Sequence, residues 1–393
     1  MDIAMCFHVH QPFRLRRFSI FSDVNLPPER AYFDNDPENS LNPIYSNKTV
    51  FQRATKECYL PATNIILEHA NVGRKFCYSV TGTWVESAMR FGQEALDIMQ
   101  SVASTGNVEF LGETYFHSLA GLYNDLSEFD EQVNMHKEML REFFDYKPRV
   151  FRNTELIYDN RIGERVESLG FKAQVIEGAE KVLGWRAPTY VYKRKGGDLR
   201  LLTRHYRLSD DIGFRFSNQS WSEWPLTADK YADWVSNVPG EYILVYVDYE
   251  TFGEHHKRET GILEFLRHLP DELEKRGVRL VTPSEIIKKH EPKDELDVPE
   301  PISWADVDRD VSTWLGNPLQ QYAFKKLQSL RLNTNRLKRI WRLLQTSDHL
   351  YYLSKKTGMD GWVHQYFSPY NSPYDAFINF MNILDDLKRR SGN

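Results

Sequence analysis

The sequence predicts an α/β fold with a mostly parallel sheet, followed by an all-helical region. Three observations predict it. From residue 2 to about residue 291, short apolar and aromatic runs alternate with stretches of helical periodicity, the pattern of strands whose crossover helices cover a parallel sheet. The number of such runs is near that of a barrel, and their C-terminal ends carry His10, Glu113, Glu155, Glu177 and Asp248. Working residues of barrels gather at those ends. Beyond an acidic, proline-containing linker at 290–301, the strand pattern stops and helical spacing takes over. The expected division is a barrel over 1–291 and a helical unit over 302–393.

The elements follow in order. Residues 2–9 read as a first strand, with His8 and His10 on one face by the two-residue period. Residues 13–47 are polar and broken by Pro27, Pro28, Pro37 and Pro43, either a functional loop or a surface insertion. A helix over 50–70 precedes a strand at 75–80, and helical spacing over 85–102 precedes a strand at 108–113. The clearest helix covers 126–146: Phe129, Val133, His136, Leu140 and Phe143 share a face, Ser127 can cap it and Pro148 stops it. The run after Pro148 delivers Glu155. Strands at 172–177, 189–193 and 199–203 follow, then Ser209-Asp210-Asp211 as a turn, with a helix N-cap as the plain role of the aspartates. A helix near 227–237 leads to Tyr242-Ile-Leu-Val-Tyr-Val, a buried strand that ends at Asp248. Residues 259–276 read as a helix interrupted at Pro270, and 278–281 as the last strand. Thr282-Pro-Ser-Glu285 combines an N-cap, a first-turn proline and a capping-box glutamate. Past the linker, helices are expected over 304–314, 318–332, 334–355 and 373–389.

Composition narrows the function. The 393 residues suffice for a large core. A net charge of −5 gives no basic footprint for nucleic acid, and no apolar run is long enough to span a membrane. The N-terminus lacks the pattern of a secretory leader. Three scattered cysteines, Cys6, Cys58 and Cys77, suit reduced core positions and a cytoplasmic location better than a disulfide frame. The many aromatic residues suit sugar faces, although most are expected in the core.

Two carboxylates at the ends of distant strands, Glu155 and Asp248, are what glycosidic-bond chemistry requires. Several segments resemble glycoside hydrolase family 57, in particular its compact α-amylase-like members. They are His10-Gln-Pro12, Gly112-Glu-Thr-Tyr115, Phe151-Arg-Asn-Thr-Glu155, Asp248-Tyr-Glu-Thr-Phe-Gly253 and Leu344-Gln-Thr-Ser-Asp348. The resemblance runs from residue 5 to about 385. It implies an irregular seven-stranded (β/α) barrel with a helical region closing over the cleft. It also implies retaining chemistry on α-1,4-glucans, without metal or organic cofactor. Glu155 then matches the nucleophile, Asp248 the general acid/base, and Asp348 an aspartate reaching into the cleft from the helical region.

Further expectations follow for the site. His10 would donate to a sugar hydroxyl, and Glu113 would orient another or tune His10. Trp185, Trp221 and Trp224 would stack on sugar rings or pack in the core. His8 reads as a packing residue, His117 and His255 as core or surface histidines, and Glu250 as a structural partner. Within the enzyme class, a 4-α-glucanotransferase or branching enzyme would use the same site. Two other classes stay open. His8 and His10 have a spacing by which two imidazoles grip zinc in a metal-dependent hydrolase. The aromatic content would equally serve a non-catalytic glucan-binding protein.

Overall fold

The computed structural model describes residues 1–40 and 42–392. Its strands are β1 (Asp2–Val9), β2 (Phe76–Val80), β3 (Val108–Phe110), β4 (Val150–Arg152), β5 (Ala173–Glu177), β6 (Tyr192–Arg194), β7 (Arg200–Arg204), β8 (Tyr242–Asp248), β9 (Arg279–Leu280) and β10 (Glu295–Leu296). They form two sheets, in the order β3-β2-β1-β8 with β9 on β1, and β10-β6-β7-β5-β4. All pairings are parallel except the β6–β7 hairpin.

The sheets meet at both edges. Gly112, just past β3, bridges Phe151 of β4. On the other side the His205 N–H, just past β7, donates to the Leu244 carbonyl of β8 at 2.8 Å. The ring therefore runs β1, β2, β3, β4, β5, β7, β8 and back to β1: an irregular barrel of seven strands.

Side-chain alternation explains its interior. One buried cluster contains Ala4, Cys6, Cys77, Leu111, Val150, Val175, Leu202, Leu244 and Tyr246, drawn from every part of the ring. It fills the barrel. The residues of opposite parity, such as Phe7, Tyr78, Phe151, Ile176, Leu201 and Val245, join a larger core beneath the covering helices. Two residues beyond the inward apolar set, the same parity presents His8, Ser79, Glu113, Arg152, Glu177, Arg204 and Asp248. The apolar filling thus gives way to a polar layer at the C-terminal mouth.

Several expectations need correction. Ser127 begins the helix Ser127–Phe144 rather than capping it, and its N–H and hydroxyl bond Asp125 instead. Asp210 and Asp211 lie inside a helical stretch whose cap is His205. The linker is not free, since β10 extends the sheet beside β6 and Ile302 bridges Tyr158. Residues 304–314 form no helix until Ser312–Leu315. Asp306 and Arg309 have φ of 55° and 48°, and Asp310 bonds the Ser312 N–H, the local competition by which aspartate side chains displace helix. A helix at Gly358–Phe367 was not foreseen, its signal weakened by Gly358 and Gly361.

The 13–47 segment, in which Leu41 lies outside the described residues, is anchored rather than loose. Phe13, Leu15, Phe18, Tyr32 and Phe33 are buried. The Tyr32 hydroxyl donates to Asp386 at 2.6 Å, and Asn379 accepts from the Phe18 N–H at 2.8 Å. Both partners lie on the terminal helix Pro373–Arg390. The larger core continues from the barrel helices to Leu387 without interruption. Arg336–Glu29 and Arg339–Glu86 cross the same boundary near its surface, and Arg342–Glu128 crosses it largely buried. Exposed pairs contribute little, so apolar burial holds the helical region to the barrel. Among the described residues, no helix is long and apolar enough to cross a membrane.

Candidate active site

The polar layer is knitted by charge. Glu113, fully buried, accepts from Ser79 Oγ at 2.6 Å and from Arg152 Nη1 at 3.2 Å. Glu177 accepts from Arg204 at 3.2 Å and from Arg309 at 2.7 Å. Each buried carboxylate is thus matched by a guanidinium, and breaking such a pair costs about 3–5 kcal/mol.

Glu155 sits above this layer. Its backbone is left-handed, φ 56° and ψ 25°, as is that of Leu156. Conformations of this kind cost on the order of 1–3 kcal/mol and persist only where surroundings impose them. The turn aims the carboxylate into the mouth, where three donors meet it. His117 Nε2 lies 3.1 Å and Ser347 Oγ 2.8 Å from Oε1, and Trp304 Nε1 lies 2.7 Å from Oε2. Burial would raise the pKa of Glu155. The His117 hydrogen bond and charge, with Arg152 and Trp304, reverse that and hold it below the usual range.

His117 is the cation of the site. Burial opposes its charge, but Glu113 at 3.6 Å on one side and Glu155 at 3.1 Å on the other raise it to about 9. Glu113, despite its burial, is held down to about 2 by His117 and Arg152.

Asp248 is the opposite case. It ends β8 in register with His8, and the His8 ring stacks on His117 at 4.7 Å. Burial and the nearby Glu155 charge push its carboxyl up to about 7, against Arg152, His117 and Arg204. The site therefore holds one carboxyl ionised and keeps the other protonated near neutrality, the division of roles that acid-assisted nucleophilic displacement needs.

From the helical region, Asp348 reaches His10 Nε2 at 3.1 Å, while Thr81 Oγ1 lies 3.1 Å from Nδ1. The His10 ring lies tilted against that of His117, centroids 4.1 Å apart. Burial and the His117 charge lower the His10 pKa, against the Asp348 hydrogen bond and charge. Burial works against the Asp348 charge, and His10 overcomes it.

Other expectations fare differently. Both nitrogens of His10 are engaged, so it orients Asp348 rather than offering a free donor. Glu113 has no exposed surface for a hydroxyl and acts through His117 and Arg152. Trp185 is 87% exposed and lies against Arg186. Trp221 packs on Trp234 and Arg215, and Trp224 is 45% exposed before the cis Trp224–Pro225 bond. Among the described residues, no ring contact or hydrogen bond ties any of the three to the carboxylates. Trp304, in the 304–314 segment whose spacing resembles a helix, is the indole that meets Glu155. His117, expected in the core or on the surface, meets it too. Glu250 is a buried partner of the Tyr59 hydroxyl at 2.6 Å, raised to about 8 by burial and the Asp248 charge. The strand stops at Asp248, so Glu250 leaves its face in the turn Tyr249–Thr251. His255 lies against Phe367 at 5.4 Å. Among the described residues, no three His, Cys, Asp or Glu side chains converge on a metal position. His8 and His10 lie with rings nearly parallel, 5.7 Å apart, and the His10 nitrogens face Asp348 and Thr81.

A barrel with an ionised and a protonated carboxyl at its C-terminal mouth, closed by a helical region, defines a glycosidase-type architecture. The sequence profile of Glycosyl hydrolase family 57 matches residues 4–299. The chain is 46% identical, over 99% of its length and 84% of the relative's, to the protein named "Putative alpha-amylase" of Methanocaldococcus jannaschii. The chain belongs to glycosyl hydrolase family 57 and is a glycoside hydrolase. Its fold is shared with the branching enzyme of Thermococcus kodakaraensis (TM-score 0.67, 14% identity, 99% of this chain and 94% of that one). It is also shared with the 4-alpha-glucanotransferase of Thermococcus litoralis (0.62, 15%, 99% and 60%). The alpha-amylase AmyC of Thermotoga maritima is similar as well (0.56, 12%, 98% and 93%).

Proposed function

We propose that the protein cleaves α-1,4-glucans with retention, as an α-amylase, with Glu155 as nucleophile and Asp248 as general acid and then base. The observation that carries this reading is the opposed pKa displacement of the two groups, Glu155 lowered and Asp248 raised to about 7.

In the first step, Glu155 attacks the anomeric carbon while Asp248 gives its proton to the departing glycosidic oxygen. The C1–O bond breaks, and a glycosyl ester forms on Glu155. Esterification removes the Glu155 charge, one of the two causes that raise Asp248. Its pKa then falls, and Asp248 is ionised when a base is needed. In the second step Asp248 takes a proton from water, the water oxygen bonds C1, and Glu155 leaves as a carboxylate. Retaining geometry calls for carboxyl groups ~5–5.5 Å apart. Asp348, more exposed than His10 (24% against 10% for the side chains), is the acceptor for a sugar hydroxyl.

The test is Glu155→Gln on a malto-oligosaccharide. An enzyme loses turnover by orders of magnitude and keeps binding, whereas a binding protein loses nothing. Products of the parent enzyme separate hydrolysis from transfer: shorter chains alone mean an amylase, and longer chains as well mean a glucanotransferase or branching enzyme. Zinc at one equivalent per chain, with activity lost to a chelator, would overturn the two-carboxylate mechanism.

A further inference from the structure

We propose that Trp304 and Ser347 are positioning residues that clamp the nucleophile, each by its backbone and its side chain together. The inference rests on the assignment of Glu155 as nucleophile.

The hydrogen bonds come in pairs. The Trp304 N–H donates to the Glu155 carbonyl at 3.2 Å, and its indole N–H to Glu155 Oε2 at 2.7 Å. The Ser347 N–H donates to the His117 carbonyl at 2.9 Å, and its hydroxyl to Glu155 Oε1 at 2.8 Å. The residues so gripped, Glu155 and His117, both have left-handed backbones, φ 56° and 50°. Neither is glycine, so surrounding contacts must impose these conformations. Each clamp residue therefore fixes a strained peptide and the carboxylate it aims with one rigid unit.

The clamp residues are themselves held. The Trp304 ring lies 5.5 Å from that of Tyr246, with the guanidinium carbons of Arg152 and Arg204 at 5.7 and 5.6 Å. Two cations against the indole ring fix its plane, and so the direction of its N–H. Ser347 is fully buried at the start of the helix Ser347–Tyr351, beside Thr346, which bridges Ser118. Both come from beyond the linker. The barrel supplies the nucleophile, and the last quarter of the chain gives it its orientation.

Three variants test this: Ser347→Ala, Trp304→Phe, and Trp304→benzothienylalanine, which keeps the bicyclic ring but has sulfur in place of N–H. Losing one hydrogen bond to a charged group should lower kcat by about 10- to 100-fold, with KM little changed. Losing a donor to the Glu155 carboxylate should also move the acid limb of kcat/KM toward neutral, by on the order of one pH unit. The benzothienyl variant guards against a Phe variant that fails to fold. Folded variants whose acid limb stays in place would overturn the clamp, even if their thermal stability fell. If Glu155→Gln is inactive and the limb does not move, the clamp alone fails. If Glu155→Gln retains activity, the nucleophile assignment fails and takes the clamp with it.

Discussion

The raised pKa of Asp248 offers the most direct test of the site, because it can be measured without turnover. The perturbation is Glu155→Gln, which keeps shape and removes one negative charge. Asp248 rises from 3.8 to about 7, with burial first and the Glu155 charge second among the causes. At the ~5.5 Å separation that retaining geometry calls for and an effective dielectric of ~20, two charges interact by about 3 kcal/mol, or roughly 2 pH units. Removing Glu155 should therefore bring Asp248 down to about 5, still above 3.8 because burial remains. The assay is the carboxylic C=O stretch in pH-difference infrared spectra, with Asp248→Asn identifying the band. A midpoint that moves by less than about half a unit would refute the coupling, and with it the account of how Asp248 changes from acid to base between the two steps. A midpoint that falls fully to 3.8 would refute the ranking of burial above charge.

Other outcomes follow from the same geometry. Asp248→Asn should stall cleavage of poor leaving groups, while an aryl glycoside with an activated leaving group should recover the first step only, visible as a burst before slow steady state. Glu250, raised to about 8, stays protonated in the folded state while the unfolded chain releases its proton. Stability is therefore full below the unfolded pKa near 4.5 and falls as pH rises toward about 8. Glu250→Gln should remove that fall and raise Tm at pH 9 by the equivalent of a few kcal/mol, with little change at pH 4. Glu113, held down to about 2, has the reverse sign: its contribution is present above the unfolded carboxylate pKa and lost as pH drops toward 2. Glu113→Gln should lower Tm at pH 7 and flatten the acid side of a Tm-against-pH curve. Removal of residues 302–393 takes Trp304 and Ser347 away and uncovers barrel helices, so fragment 1–301 should be inactive and aggregate in size-exclusion chromatography. A monodisperse, active fragment would contradict the role given to the helical region.

Much of the catalytic mouth was legible because a strand's side chains alternate. Cys6, Leu111, Val150, Val175, Leu202 and Tyr246 fill the barrel. Counting two residues on from each gives His8, Glu113, Arg152, Glu177, Arg204 and Asp248, a polar layer written in the sequence at a fixed offset from an apolar one. Glu155 was legible for a related reason: it follows a short buried run that could only be a strand. The groups that finish the site follow no such period. His117 stands four residues beyond Glu113 in a left-handed loop, and Ser347 begins a short helix far along the chain. Trp304 lies in a segment whose spacing mimics a helix. Local pattern measures what a segment would do alone, and these residues are held where they are by contacts across the mouth. The same limit explains the tryptophans. Trp185, Trp221 and Trp224 stand near strand ends in the sequence, but proximity along the chain does not give direction. A sugar-facing or carboxylate-facing ring needs its plane fixed from outside its own loop, as Arg152, Arg204 and Tyr246 fix Trp304. The indole that matters is the one whose N–H reaches Glu155.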